Sequence, residues 1–416
     1  MTMWCQLILS GALSLRAASR VFSIILPYFN LELSSTPSWY TGRLWLMRLG
    51  YYKLHRAKVK SNDWVWIIDH SVQIGKEKCL VILGLRLREL PKERSLTYED
   101  VEPIEILPVS ESNGTIVYKQ LEAVIEKTGV PRMIISDYGS DIKSGIEKFC
   151  LLHQETDYIY DVKHKIASMF KKVLEGNKRW ELFIKLASQA KHQVQQTSLV
   201  ALAPPAQRAK ARYMNTEYLL RWGEKMILFL SQSDKEISQH GYEVAKTRKK
   251  LGWVMRFRDD IKYWNSLTEI ASIAENFIRN KGLYTDSDFK LRELFNESEN
   301  LCNSESTLQF KKDVLDFVRN ESQKAKPGEC LLGSSEIIES VFGKQKFIEK
   351  EQSKRGFTGL LLTLGSIVSK TSIEVVKQAM ESTSTKIIYD WYHQHIKQSE
   401  QAQRAKWISL CNLKTV

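Results

Sequence analysis

The alternation of apolar and polar residues changes along the chain and divides it into regions of different predicted structure. Compact apolar runs at Trp64–Ile68, Cys79–Leu85 and Ile104–Val109 predict three successive strands, because short runs rich in branched and aromatic residues are typical of a buried sheet. The pattern then predicts a helix, a strand, a helix and a strand: Gly114–Lys127, Met133–Ile135, Ile142–Leu152 and Tyr158–Tyr160. A meander followed by alternating strands and helices predicts an α/β fold with a mixed sheet.

The first sixty residues carry apolar side chains at helical spacing. Leu13–Leu26 predicts one helix, and Ser35-Thr-Pro37 predicts the start of a second, which Gly50 is expected to end. Two helices across a short break resemble a helix-turn-helix, and Arg43 and Arg48 on the second helix are then available to DNA phosphates. An ordinary helical hairpin that packs on the next domain explains the same pattern.

The rest of the chain has mostly helical spacing. Helices are predicted from Lys163 to about Asn320, and a polar linker at Glu321–Glu329 precedes further helices. A chain of 416 residues is too long for one ordinary core. We therefore predict four regions: a helical DNA-binding region over 1–60, the first part of the α/β core over 61–165, an α-helical insertion over 166–325, and a C-terminal helical part over 326–416 that completes the core.

Charge narrows the choice of partner. The formal net charge of +13 favours a polyanion, with nucleic acid ahead of an anionic membrane surface, although a basic protein without such a partner has the same composition. None of the six cysteines forms a C-x-x-C pair, so neither a disulfide framework nor a zinc site is predicted. The sequence lacks both a signal-peptide cleavage pattern and an uncharged apolar stretch of about 18 residues, so we expect a cytoplasmic protein that does not bind a membrane.

Two aspartates follow buried strands. Asp69 ends the run Trp64-Val-Trp-Ile-Ile, and Asp137 ends Met133-Ile-Ile-Ser. An acid in this position is often a turn former or helix cap, but two carboxylates at one sheet edge can also hold a pair of Mg²⁺ ions for phosphodiester chemistry. Asp141 is an alternative second acid. We favour Asp137 because it directly ends the strand, whereas Asp141 is expected to cap the next helix.

Three segments together resemble a known family of enzymes. They are Ile67-Ile-Asp69; Ile134-Ile-Ser-Asp137-Tyr-Gly-Ser-Asp141 with the later Asp161-Val-Lys-His164; and Ser335-Glu-Ile-Ile-Glu339-Ser-Val-Phe342-Gly-Lys-Gln-Lys346. In order and context they resemble the DDE transposases of insertion sequences, and more narrowly the hAT-like and P-element-like group. The resemblance implies an RNase H-like mixed sheet interrupted by a large helical insertion, a fold that also has the predicted order of strands and helices.

The resemblance also implies roles for the acidic residues and the histidine. Asp69 would bridge two Mg²⁺ ions, for which Mn²⁺ substitutes, and Asp137 and Glu339 would each complete one metal site. His164 would lie near the active site, with Asp161 orienting it or tuning the metal ligands. Glu336 is an alternative third acid. Glu339 is favoured because only it has Phe342 and a lysine at the family's spacing.

DNA contacts are implied as well. Lys346 would hold transposon-end DNA from the same helix face as the glutamate. Trp222 could stack on an unpaired base, although a core position is the commoner role of such a tryptophan. The tyrosine and arginine that precede the glutamate in some of these families are replaced here by Leu332 and Ser335.

The activity implied is metal-dependent cleavage at transposon ends followed by strand transfer into target DNA. The expected partner is double-stranded DNA, bound by a homodimer or higher oligomer in a nucleoid-associated, bacterial-type setting. Two alternatives remain: an RNase H-like nuclease without strand transfer, and a decayed or domesticated transposase that only binds DNA. Cleavage versus mere binding of DNA in Mg²⁺ or Mn²⁺ discriminates among them.

Overall fold

The computed structural model describes residues 1–29, 36–74, 77–206, 213, 216–298, 301, 304–350, 358–396, 404 and 406–409, without the side chains of 72–74. The chain divides into two compact units. Unit 1 consists of Met1–Asp161 and Cys330–Val416, and unit 2 consists of Val162–Glu329. The predicted insertion spanned 166–325. The predicted region 1–60 does not form a unit of its own, because its helices belong to unit 1.

Unit 1 is built on a five-stranded sheet, which confirms the mixed α/β class. The strands in chain order are β1 Trp64–Ile74, β2 Glu77–Arg86, β3 Glu102–Val109, β4 Met133–Ser136 and β5 Asp157–Tyr160. Their spatial order is β3-β2-β1-β4-β5. The meander β1-β2-β3 is antiparallel, whereas β4 runs parallel to β1 and β5 runs parallel to β4.

The helices are distributed over both units. Those before the insertion are α1 Thr2–Leu9, α2 Leu15–Ile25, α3 Trp39–His55, α4 Gly114–Thr128 and α5 Ser140–Leu152. Those of unit 2 are α6 Val162–Leu174, α7 Lys178–Val194, α8 Thr216–Leu230, α9 Asp234–Gln239, α10 Val244–Leu251, α11 Arg258–Lys281, α12 Ser287–Glu297 and α13 Glu305–Ser322. Those after the insertion are α14 Glu336–Glu349, α15 Thr363–Ile367, α16 Ile373–Ser382 and α17 Thr385–His395. Short 3₁₀ helices lie at Leu26–Phe29, Leu87–Glu89, Val200–Leu202, Gly252–Phe257 and Gly359–Leu362.

Both faces of the sheet are buried. On one face Trp66, Ile68 and Ile134 pack in one buried cluster with side chains of α4 and α5. The alternate residues Val65 and Ile67 point to the opposite face and are also fully buried. Helix α14 contacts β1, and α3 and α15 contact β3. None of the described residues of these three helices belongs to the α4–α5 cluster.

Two predicted boundaries were wrong. Strand β1 does not end at Asp69 but continues to Ile74, because the hairpin with β2 pairs it beyond that point. Helix α3 does not end at Gly50 but runs on to His55. Gly50 is needed for a close approach, since a β-carbon there would lie 1.8 Å from the carbonyl oxygen of Leu362.

The start of α3 also differs from the prediction. The predicted capping residue Ser35 lies outside the described residues. The hydroxyl of Ser38 takes that role and accepts a hydrogen bond from the backbone N–H of Thr41. In the part of the chain that the structure describes, no helix is both long and apolar enough to cross a bilayer.

Candidate active site

Asp69 and Asp137 each stand two residues beyond the last parallel pair of β1 and β4, which joins Ile67 to Ile135. Asp69 still belongs to β1, whereas Asp137 directly follows β4. Neighbouring strands lie about 4.8 Å apart, so continuing the register would set the two acids side by side. Asp69 has the parity of Ile67, so the pleat directs it to the face away from α4 and α5. Both acids are half-buried.

The turn after β4 fixes the position of Asp137. The N–H of Gly139 donates to Asp137 Oδ1 at 2.9 Å. Between them, Tyr138 has φ 61°, a left-handed conformation that is strained for a bulky residue. Its ring stacks on Tyr160 with centroids 3.9 Å apart, which holds this conformation in place. Sequence reasoning missed this tyrosine pair, because the stacking joins a residue of the turn after β4 to the last residue of β5.

The carboxylate charges near Asp69 and Asp137 shift the pKa values of two neighbouring side chains. Burial raises the pKa of Tyr160, and the negative charges of Asp137 and Asp161 raise it further. Burial lowers the pKa of His70, while the carboxylates of Asp141 and Asp137 oppose that shift. His70 directly follows Asp69, and its backbone N–H donates to Asp69 Oδ1 at 2.6 Å. Residues of β1, β4 and β5 therefore share one electrostatic environment.

Asp141 has a different environment from Asp137. Lys78 Nζ and Ser112 Oγ donate to Asp141 Oδ2 at 2.7 and 2.6 Å. Burial alone would raise the pKa of Asp141, but these hydrogen bonds and the nearby positive charge lower it to about 2. The expectation that Asp141 caps α5 was wrong: it lies in the first turn, and Gly139 is the capping residue. Lys78, from a distant strand, explains why its carboxylate is directed elsewhere.

The helix that carries Glu339 begins beside β5. Glu339 and Glu336 are half-buried in the first turn of α14, Phe342 is buried, and Lys346 is exposed. Ser335, the residue before the helix, donates from its backbone N–H and its hydroxyl to the buried carboxylate of Asp161, at 2.6 and 3.0 Å. Asp161 thus contacts the start of α14, a contact that sequence reasoning did not foresee.

The remaining predicted site residues lie elsewhere. His164 is half-buried in the first turn of α6, in unit 2. Trp222, on α8 of the same unit, donates from Nε1 to the carbonyl of Leu202 at 3.0 Å, and its ring lies 6.1 Å from that of Trp253. Trp222 is half-buried, and its contact with a DNA base stays a prediction.

The two arginines of α3 are also partly engaged. Arg48 donates to the carbonyls of Met380 and Thr383 at the end of α16. This contact stabilises carbonyls that a helix end leaves unpaired. Arg43 is half-buried, with its guanidinium 5.8 Å from the ring of Tyr40. Their contact with DNA stays a prediction.

The donors at the sheet edge suit a hard cation. Among the described residues, no group of three or more histidine, cysteine, aspartate or glutamate side chains could hold a metal ion. The structure therefore does not group Glu339 with Asp69 and Asp137. Asp69 on β1 and Asp137 directly after β4 provide two carboxylates at the ends of neighbouring parallel segments. Mg²⁺ is usually bound by one or two carboxylates together with water and substrate phosphate, so this donor pair fits it chemically.

Comparisons with known proteins found similarity among solved structures. No protein-family profile matches the chain, and no curated protein matches its sequence. Among solved structures, the chain is similar to the Drosophila P element transposase strand transfer complex, with 13% sequence identity and a TM-score of 0.42. The similarity covers 90% of this chain and 92% of that one. A likeness of this size does not establish a shared activity.

Proposed function

We propose that the chain is a DDE-type DNA transposase that cuts DNA at the ends of a mobile element and joins them to target DNA. The observation that carries the proposal is that the parallel pairing of β1 with β4 ends two residues before Asp69 and Asp137, while α14, the helix of Glu339, contacts β1. Carboxylates from separate segments at one sheet edge suit metal-dependent phosphodiester chemistry.

The topology supports an RNase H-like core. An antiparallel meander followed by two parallel strands, in the order β3-β2-β1-β4-β5, is the arrangement that the resemblance implies. The chain passes into unit 2 directly after β5 and returns to unit 1 before α14. In this proposal unit 2 is the insertion that separates the third acid from the first two.

The residues divide the chemistry between them. Asp69 and Asp137 would hold Mg²⁺, with Glu339 as a third oxygen ligand. Bound metal would activate the attacking oxygen and stabilise the leaving one. Lys346, two turns along α14 from Glu339 and exposed, would contact a DNA phosphate.

The reaction needs no external energy source. In hydrolysis, a water oxygen forms a bond to phosphorus as the bond to the 3′-oxygen breaks, and the 3′-oxygen takes up a proton. In strand transfer, this 3′-hydroxyl attacks a target phosphodiester, so one phosphorus–oxygen bond forms for each one broken. We propose that two protomers assemble on two DNA ends.

Asp137 is preferred over Asp141 on electrostatic grounds. The Asp141 carboxylate is 9% exposed and already accepts hydrogen bonds from a lysine and a serine. A cation approaching it would have to displace or repel the ammonium group of Lys78. The choice of Glu339 over Glu336 rests on the spacing to Phe342 and Lys346.

The test is cleavage of a supercoiled plasmid that carries the genomic DNA flanking the gene on both sides. Wild type is compared with Asp69→Asn, Asp137→Asn and Glu339→Gln, with Asp141→Asn as the matched control, in Mg²⁺ and Mn²⁺. We expect cuts at the element ends with wild type. Each of the three variants should lose at least about 10²–10³-fold in rate while still binding DNA, because electrostatic stabilisation of the transition state is lost.

Three results would change the assignment. If the three variants cut like wild type, the acids are structural. If Asp141→Asn loses cleavage and Asp137→Asn keeps it, the second acid is Asp141. If the flanking DNA is cut but never joined to a second plasmid, the chain is a nuclease without strand transfer; if it is bound but never cut, the chain is a DNA-binding protein.

A further inference from the structure

Asp161 connects the segments that carry two of the candidate acids. Its backbone N–H donates to the carbonyl of Ser136 at 3.0 Å, and Ser136 directly precedes Asp137. Its carboxylate accepts from the backbone N–H and the hydroxyl of Ser335, the residue that begins the helix of Glu339. One residue at the end of β5 therefore contacts both neighbouring segments.

The contact with α14 should be strong and well defined. Asp161 is 2% exposed, and a buried carboxylate costs free energy unless it is hydrogen-bonded or paired. The first N–H groups of a helix have no partner within the helix, and a negative charge there also interacts favourably with the helix dipole. Hydrogen bonds to an ionised acceptor are roughly twice as strong as neutral ones. Moving α14 would break these bonds in a place that water does not reach.

The position of the contact in the chain adds to its importance. Asp161 is the last residue of unit 1 before the chain enters unit 2, and Ser335 follows shortly after the chain returns at Cys330. The whole of unit 2 separates Asp161 from Ser335 in sequence, so the backbone near β5 does not by itself fix where α14 begins. The Asp161–Ser335 contact provides that restraint within unit 1.

We propose that Asp161 is a positioning residue that holds Glu339 at the correct place relative to Asp137 and so sets the metal affinity of the site. This inference rests on the proposed function. Glu339 lies one helical turn beyond Ser335, so a shift of the helix start moves the glutamate by a similar amount. Asp161 acts through Ser335 and Ser136.

The experiment measures Mn²⁺ binding to the full chain by electron paramagnetic resonance, without DNA, alongside the thermal unfolding midpoint and the Mn²⁺ dependence of plasmid cleavage. The variants are Asp161→Asn and Ser335→Ala. Asp69→Asn is the reference for a lost metal ligand. Asp157→Asn is the matched control, because Asp157 is the first residue of β5, whereas Asp161 directly follows the last one, and the Asp157 carboxylate pairs with Arg132.

We expect Asp161→Asn to raise the half-saturating Mn²⁺ concentration on the order of 10–100-fold, as for residues that orient metal ligands, with a smaller effect for Ser335→Ala. Asp157→Asn should match wild type, and excess Mn²⁺ should partly restore cleavage by Asp161→Asn. If Asp161→Asn does not fold, the Ser335→Ala titration decides by the same comparison.

Two outcomes separate failure of this inference from failure of the proposed function. If Asp69→Asn loses Mn²⁺ binding while Asp161→Asn and Ser335→Ala bind it like wild type, the positioning role is refuted and the proposed site stands. If Asp69→Asn binds Mn²⁺ like wild type, the proposed metal site itself is wrong, and the positioning role falls with it.

Discussion

At the scale of single residues, equivalent side chains acquire different properties from partners that are distant in sequence. Asp137 lies in the turn before α5 and Asp141 in the first turn of that helix, yet only Asp141 is paired with Lys78 of β2. The sequence offers no signal for that pairing, because hairpin register decides which β2 side chain reaches the loop. The rule that acids favour helix starts therefore indicated a cap where the structure has an ion pair.

Lys53 is the other residue whose environment was not predictable. It is fully buried on α3, and its ammonium group donates to the carbonyls of Ser366, Val368 and Ser369 and to the hydroxyl of Thr371. Burial lowers the pKa of Lys53 to about 7, and the positive charge of Arg56 acts in the same direction. The lysine joins α3 to the segment after α15.

This environment predicts a pH dependence of stability. The pKa of Lys53 is about 7 in the folded chain and 10.5 in its ordinary state. Between these values the unfolded chain holds a proton that the folded chain lacks. The free energy of unfolding therefore rises with pH from about 7 towards 10.5, by up to about 1.4 kcal/mol per pH unit. Below pH 7 both states carry the charge and the cost of burying it is fully present.

The measurement is urea unfolding of wild type and Lys53→Met at pH 7 and pH 9. The gain in stability of wild type between the two pH values should exceed that of the variant. Lys58, whose pKa burial lowers to about 8, is present in both proteins and adds a pH dependence of its own to each. Parallel pH dependences of the two proteins would show that Lys53 keeps its charge throughout.

At the scale of elements, the crossing of α3 with the segment Gly359–Ile367 depends on two glycines. A β-carbon at Gly50 would meet Leu362 oxygen at 1.8 Å, and one at Gly365 would meet Gly50 oxygen at 2.6 Å. In both cases the obstacle is backbone, which cannot rotate away as a side chain can. Gly343 on α14 is a contrasting helical glycine, because nothing lies within 4 Å of its added β-carbon.

We predict opposite effects of alanine at these two glycines. Gly50→Ala should lower the free energy of unfolding by about 1–3 kcal/mol or more through overpacking. Gly343→Ala should raise it by up to about 1 kcal/mol, because alanine is the better helix former. Chemical denaturation of both variants provides the test. Equal effects of the two substitutions would show that α3 does not cross this segment closely.

The elements around the sheet were the most predictable part of the fold. Four strands and two helices between Trp64 and Tyr160 were predicted within about two residues, since apolar periodicity reports burial directly. Strand β1 was predicted too short because beyond Asp69 its pairing with β2 maintains it, without an apolar run. The end of α3 was mispredicted because a glycine at a helix crossing looks like a glycine at a helix end.

The candidate site was predictable only in part. Asp69 and Asp137 stood out because each follows an apolar strand, and strand position is a local property. The stacking of Tyr138 on Tyr160 and the Asp161–Ser335 contact depend on segments that the fold brings together. The contact of Asp161 with the start of α14 was not predicted, and its expected role in orienting His164 or tuning the metal ligands stays a prediction.

At the scale of the whole molecule, the proposed metal centre draws its ligands from three segments that are far apart in sequence. Asp69 comes from β1, Asp137 follows β4, and Glu339 is separated from both by the whole of unit 2. We propose that these three carboxylates bind metal at one centre. A metal-binding titration shows that a metal binds but not where it binds. A bound metal that cleaves the nearby polypeptide chain reveals its own location.

The most direct measurement is therefore chain cleavage by Fe²⁺ bound in place of Mg²⁺, with ascorbate and hydrogen peroxide to generate hydroxyl radicals. Mass spectrometry of the fragments locates the cuts. We predict cuts close to Asp69, Asp137 and Glu339 in the same protein, competed by Mg²⁺ and lost in Asp69→Asn. Cuts confined to other carboxylates, or cuts that persist unchanged in Asp69→Asn, would contradict the proposed metal centre.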